Sequence, residues 1–344
     1  MGPGVDTPTA GSDLAKILKT HYRAQMASIG LVGAGLVSRS PRELAWRRFR
    51  ANRIGIPAAV ASVGIAFFAI FAPLIAWAIN VNPNDRDGTA ITERGQTIGR
   101  FGGMSWNHPL GVEPGIAYDL LARLMYGARI SFMVAVISTF ATVALGLIIG
   151  IVSGYYRGRV DSVFGRFTDF LLAFPSFFMI IALSGPTIQR IERSGIARDN
   201  SARILYLIVI LSFFGWPYFS RIIRSQVLSL RERDYVVAAR ALGASNRRII
   251  FKELLPNLWT PVIVYVSLAL PGYLAAEAVF SYLGIGIQPP SASWGLIIAD
   301  STKYILSEPT YFFIPAISLI LVVLSFNLLG DAIRDALDPK SEQS

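Results

Sequence analysis

Residues 231–256 read RERDYVVAARALGASNRRIIFKELLP. Long apolar stretches flank this polar segment on both sides, so it is expected to lie in water beside a membrane. Residues 235–242 are expected to form a short helix, because Ala238, Ala239 and Ala241 are strong helix formers. Gly243 is placed to end it: the residue after a helix often needs positive φ, which glycine adopts without a Cβ penalty. Ser245 can then cap a second short helix over residues 246–254, its hydroxyl accepting an orphan backbone N–H. Pro256 is expected to stop that helix and open the next apolar segment.

The surrounding composition agrees with a membrane setting. Of 344 residues, 53% are hydrophobic and 16% charged, a balance outside the range of ordinary soluble domains. Six apolar spans are expected, at residues 54–80, 130–155, 163–183, 204–228, 258–283 and 311–329. Within the second, Gly146, Gly150 and Gly154 stand four apart and permit close helix packing. The net charge of +10 is better assigned to cytoplasmic loops than to nucleic acid. Lys and Arg number 22 in residues 1–53, 156–166, 221–256 and the C-terminal tail, against 8 in the alternate loops 81–118, 186–203 and 285–310. That asymmetry places both termini and the 231–256 segment in the cytoplasm.

Several chemistries are excluded. With no cysteine there is no disulfide, thiolate metal site or cysteine nucleophile. His21 and His108 lie far apart in polar stretches, so a histidine metal site is not expected. No GxxxxGK[ST] run is present, so ATP hydrolysis would have to come from a partner. No convergent Ser/His/Asp set points to a membrane enzyme, and no internal repeat favours an inverted-repeat secondary transporter.

The N-terminal tail, residues 1–53, divides further. Residues 1–13, rich in Gly, Pro, Thr and Ser, are expected to be disordered. The apolar run 26–37 falls short of the about 20 residues needed to span. A signal peptide there would leave a dense set of arginines outside the membrane, which argues for an interfacial segment. Ser40, Pro41 and Glu43 have the spacing of a helix start. Leu44, Trp46 and Phe49 alternate with arginines in the pattern of an interfacial helix on anionic lipid. Residues 54–80 form the first span, 81–129 an external loop, 130–336 the core that carries the 231–256 segment, and 337–344 a cytoplasmic tail.

Glu277 is the most informative single residue inside an expected span, since a charge at a helix centre costs about 2.5–3.5 kcal/mol. It fits either a pathway or gate carboxylate or a hydrogen-bond partner for a neighbouring helix. Beyond it, the Gly/Pro-dense run 284–290 breaks the helix, and Trp294 suits the interfacial aromatic belt. Arg123 and Arg129 lie on different sides of a helix, and both could snorkel to the interface. Arg221 and Arg224 share a helix face and mark the cytoplasmic boundary.

Four motifs carry a family resemblance. Ala238-Ala239, Gly243 and Leu255-Pro256 resemble the cytoplasmic "EAA" loop of ABC-importer permeases, with Val237 standing where many members have Glu. The run His108-Pro109-Leu110-Gly111, then Asp119, Leu121, Arg123, Gly127-Ala128-Arg129 and Ser131, is similar to the C-type permease subunit of dipeptide and oligopeptide importers. Ala117 and Tyr118 depart from the Gly-Arg of many members. Gly215-Trp216-Pro217-Tyr218 and Asn327-Leu328-Leu329-Gly330-Asp331 also match. The resemblance implies an all-α integral membrane fold, with six transmembrane helices of the type I importer permease, cytoplasmic coupling helices and an N-terminal interfacial helix. It implies that Tyr235, Ala238, Ala239, Gly243, Ala244 and Arg247 contact an ATPase, and that Glu277 and Trp294 stand near the pathway or gate. The implied partners are a second homologous permease, two ATPase subunits or domains, an external substrate-binding protein and membrane lipid, with no nucleic acid. No cofactor is implied for this chain, ATP and Mg being held by the ATPases. The setting implied is the bacterial cytoplasmic membrane and the cargo di- or oligopeptide. A nickel or haem importer of the same architecture, or an ion-driven transporter, are the alternatives.

Overall fold

The computed structural model describes residues 41–337. The expectations for residues 1–13, the 26–37 run, Ser40 and residues 338–344 fall outside them. Helix α1 spans Pro41–Ala51, with Glu43 in its first turn. The chain divides after Arg48, and all the packing that follows lies in the second unit.

Every regular element among the described residues is helical. Helices α2 (Gly55–Ile70) and α3 (Ala72–Ala78) divide the expected first span at Phe71. Pro73 stands in the first turn of α3, where its missing N–H costs nothing. Residues 79–119 form an irregular loop with one 3₁₀ turn at Gly88–Ala90 and three isolated β-bridges. Helix α4 follows over Leu120–Tyr156. At 1.5 Å per residue it is about 55 Å long, more than a bilayer's hydrocarbon core. It begins ten residues before the expected span because Asp119 caps it, accepting from Ala122 N at 2.7 Å.

The expected third span is bent rather than straight. Helices α5 (Gly158–Ala173) and α6 (Ser176–Ser194) meet at 86°. Pro175 sits between them, has no N–H to continue the ladder and clashes with a helical residue before it. Helix α7 spans Asp199–Leu230 and α8 Asp234–Ala241. The helical run Asn246–Tyr282, here α9, passes through Pro256 without a stop. A π turn at Ile249–Leu254 and a 3₁₀ turn at Leu255–Leu258 shift the hydrogen-bond register, so the missing donor of Pro256 falls in the first turn of a new ladder. After an irregular stretch come α10 (Trp294–Ser301) and α11 (Pro309–Leu337).

Helices α4, α7, α9 and α11 are long and apolar enough to cross a membrane; two bent helix pairs, counted as one span each, would raise four to six. The most extensive helix contact is α4 on α7, and the glycine stripe explains it. A Cβ on Gly150 would lie 2.7 Å from Ile223 Cβ, and one on Gly154 2.9 Å from Val227 Cβ. The two backbones therefore approach more closely than side chains would allow.

Two clusters hold the ends of this bundle. At the end carrying loop 81–118, Leu120, Leu124, Phe132, Leu274, Trp294, Ile297 and Tyr311 pack together from α4, α9, α10 and α11. At the other end Ile151, Tyr155, Ile223, Val236, Ile249, Leu254 and Leu258 do so from α4, α7, α8 and α9.

Candidate functional site: the 231–256 segment and the network at the opposite end

The 231–256 segment keeps the local form its residues dictate. Gly243 has φ of +82°, and two bonds close the helix end around it: Ala244 N donates to Ala239 O and Gly243 N to Arg240 O, each at 3.0 Å. This pair is the Schellman arrangement, which satisfies carbonyls that the helix leaves open. Ser245 accepts from Arg248 N at 3.4 Å and caps the start of α9. Val236, Ile249 and Leu254 are fully buried and fasten the segment to the bundle. Several large apolar side chains of the segment stay exposed among its charges. Tyr235 is 41% exposed, Val237 49%, Phe251 58% and Leu242 89%. Ala238, Gly243 and Arg247 are exposed, and Ala239 and Ala244 half-buried.

Glu277 and Trp294 lie inside the chain. The Glu277 carboxylate is fully buried and takes hydrogen bonds from Ser131 at 2.5 Å and Ser281 at 2.6 Å. Ser293, the N-cap of α10, completes the hydroxyl set. Glu277 thereby joins α4, α9 and the start of α10 at one point. Trp294, expected in an interfacial belt, is instead buried at 3% exposure, with its indole N–H donating to Leu124 O at 3.0 Å. Gly127 makes room for it: a Cβ there would sit 3.3 Å from Trp294 Cδ1. A tryptophan whose polar atom finds a backbone acceptor inside the bundle has no need of the headgroup region.

Arg123 does not snorkel. Its Nε donates to Glu113 Oε1 at 3.1 Å, its Nη1 donates to Pro290 O, and its guanidinium lies 5.0 Å from the centre of the Tyr118 ring. Both charged side chains are only 3% exposed. Burial pushes the Glu113 carboxyl up from its ordinary range, against the pull of Arg123. Beside this pair, His108 is held between two carboxylates, Nδ1 at 2.8 Å from Asp119 Oδ2 and Nε2 at 3.0 Å from Asp87 Oδ2. A neutral imidazole has one donor, so both contacts are satisfied only by imidazolium. Burial works against the charge on His108, and the two carboxylates outweigh it, so the net shift is upward. The Thr89 hydroxyl, then His108, bring Asp87 down to about 2. Loop 81–118 is thus fastened to the first turn of α4 by charge. Residues 108, 119 and 123 were visible as motif members; Glu113 and Asp87 carried no signal beyond their charge.

Arg221 and Arg224, expected at a boundary, do pair with acidic residues of α5: Arg221 with Asp169, and Arg224 with both oxygens of Asp161 at 2.5 Å. An open groove of about 550 Å³ runs between α7, α9 and α11, with Tyr218, Tyr265 and Tyr273 on its wall. Tyr273 shares a hydrogen bond with Thr142 at 2.8 Å.

Residues 146–343 match the family described as binding-protein-dependent transport system inner membrane component, and residues 40–93 the N-terminal transmembrane domain of oligopeptide transport permease C. The chain is similar to a dipeptide transport system permease protein of Alkalihalophilus pseudofirmus, 33% identical over 304 residues, 88% of this chain and 90% of that one. It is likewise similar to an oligopeptide transport system permease protein of Mycobacterium tuberculosis, 34% identical over 88% of this chain and 96% of the other. A glutathione transport system permease protein of Pectobacterium atrosepticum is 30% identical over 93% of this chain and 98% of its own length.

Proposed function

Since this chain belongs to the binding-protein-dependent transport permeases, in the oligopeptide-permease C branch, we propose that it forms half of the translocation pathway of an ATP-driven importer of short peptides. Dipeptide, oligopeptide and glutathione permeases among its relatives support that cargo class. A second, homologous permease supplies the other half, an external binding protein delivers the peptide, and two ATPase subunits or domains hold ATP and Mg. The six spans are α2–α3, α4, the bent pair α5–α6, α7, α9 and α11. Helix α1 lies on the cytoplasmic leaflet.

The observation that carries the coupling role is the exposure of Tyr235, Val237, Leu242 and Phe251 on a segment fastened by Val236, Ile249 and Leu254. Large apolar side chains left exposed on a water-facing polar segment mark a docking surface, and the arginine excess around it supports a cytoplasmic location. In the mechanism, ATP draws the two ATPases together. The α8 segments follow, and α9, continuous with the segment, tilts. The groove bearing Tyr218, Tyr265 and Tyr273 then changes its access from one side to the other. Glu277 stabilises the external gate from within, joining three elements. ATP must favour one state by differential binding for this to work.

The test is a cysteine in place of Leu242. It should react with a membrane-impermeant maleimide only in inside-out vesicles, and should cross-link to an ATP-hydrolysing partner. Labelling from the outside of intact cells would refute the orientation, and absence of any cross-link to an ATPase would refute docking.

A further inference from the structure

Tyr155 lies in the last turn of α4, buried at 6% exposure. Its hydroxyl donates to Asn246 Oδ1 at 2.8 Å. Its backbone carbonyl accepts from Arg231 Nη1 at 2.5 Å, and the Arg231 guanidinium lies 6.0 Å from the centre of its ring. Arg231 is the C-cap of α7, and Asn246 is the first residue of α9. The chain between them contains all of α8. Residues on both sides of α8 are therefore tied to one residue of a third helix. Around it, Val236 of α8 and Ile249 of α9 pack in the same cluster as Tyr155.

We propose that Tyr155 is a positioning residue for transport. On this view its hydroxyl bond to Asn246 is the joint through which movement of the docking segment reaches α4. This inference rests on the docking role of the 231–256 segment. The glycine stripe packs α4 on α7 backbone to backbone, so these two helices move as one body. The start of α9 is held to that body by the Tyr155–Asn246 bond and by packing. Packing is non-directional and tolerates sliding. A hydrogen bond of defined geometry does not. The bond therefore sets where α9 pivots when α8 is displaced. At its far end α4 carries Arg123, paired with Glu113, and Ser131, bonded to Glu277. A displacement entering at Tyr155 arrives at the loop and gate elements by way of one continuous helix, with no hinge to absorb it.

The test uses the assembled transporter in proteoliposomes, with spin labels at Val237 in the docking segment and at Met133 on α4, both exposed. These sites lie on opposite sides of the joint. Mg-ATP with vanadate should shift the distance distributions at both labels in the unaltered chain. In Tyr155→Phe, which removes only the hydroxyl and leaves the Arg231 bond to the Tyr155 carbonyl in place, the Val237 label should still respond and the Met133 response should shrink. Peptide uptake per ATP hydrolysed should fall roughly fivefold, the equivalent of one ordinary hydrogen bond lost. Asn246→Leu, at an exposed position, should reproduce both effects, and the double variant should add nothing. An unchanged Met133 response in either single variant overturns the joint. Absence of a Val237 response in the unaltered chain would instead remove the docking role on which the joint depends.

Discussion

Replacing Arg123 with Met isolates the cost of an unpaired buried carboxylate. The substitution keeps the side chain's approximate length and apolar stem. It removes the bond to Glu113, the bond to Pro290 O and the stacking on Tyr118. Because both members of the pair are 3% exposed, water cannot replace the lost donor. Breaking such a pair from one side costs about 3–5 kcal/mol. The chain can escape part of that cost by protonating Glu113, whose carboxyl is already raised by burial. A folded-state pKa above the unfolded value loses stability as pH rises between the two. The variant should therefore be less destabilised at acid than at alkaline pH, the cost growing by up to about 1.4 kcal/mol per pH unit between the unfolded and the raised folded pKa. Adding Glu113→Leu should recover most of the loss and flatten the pH dependence. Equilibrium unfolding in mixed micelles at pH 5 and pH 8 measures all three. A single-variant cost below about 1 kcal/mol at pH 8, or additive effects in the double variant, would refute the pairing as an energetic unit.

Other outcomes follow from the same geometry. The His108 clamp needs imidazolium, and its folded pKa is raised; its stabilisation is full below the ordinary histidine value and is lost as pH rises through the folded one. Protease cleavage in loop 81–118 should accordingly increase on going from pH 6 to pH 9, and His108→Asn should cleave readily at both. Gly150→Ala places a Cβ 2.7 Å from both Ile223 Cβ and the Ser220 carbonyl; overpacking of this kind costs about 1–3 kcal/mol, whereas Gly165→Ala, with open space around it, should leave thermal stability unchanged. Gly243→Val meets no neighbouring atom, yet holds a β-branched residue at φ +82°. It should leave membrane insertion intact while lowering uptake relative to ATP hydrolysed.

Local structure was largely legible before folding was considered. The helix at residues 234–241, the glycine that ends it and the serine that caps the next are decided by side chains within a few residues of each backbone bond. The glycine stripe was likewise readable as a packing face, because four-residue spacing stays on one side of a helix whatever it meets. The path of the chain through prolines was not. Pro175 became an 86° bend, whereas Pro256 was absorbed into a continuous run. Proline removes a donor in both places, and the surrounding packing determines whether the ladder breaks or shifts register.

Sequence by itself determined that this chain is helical, apolar enough for a membrane and charged more heavily on one set of loops. Those properties sum over residues and need no contact map. Only the tertiary structure decided which polar groups meet. Ser131 and Glu277 are 146 positions apart, and Leu124 and Trp294 are 170 apart. Inside an apolar bundle a carboxylate, a guanidinium or an indole N–H must find its partner among whatever helices lie beside it. That choice belongs to the packing of α4 against α9 and α10, and no spacing along the chain records it.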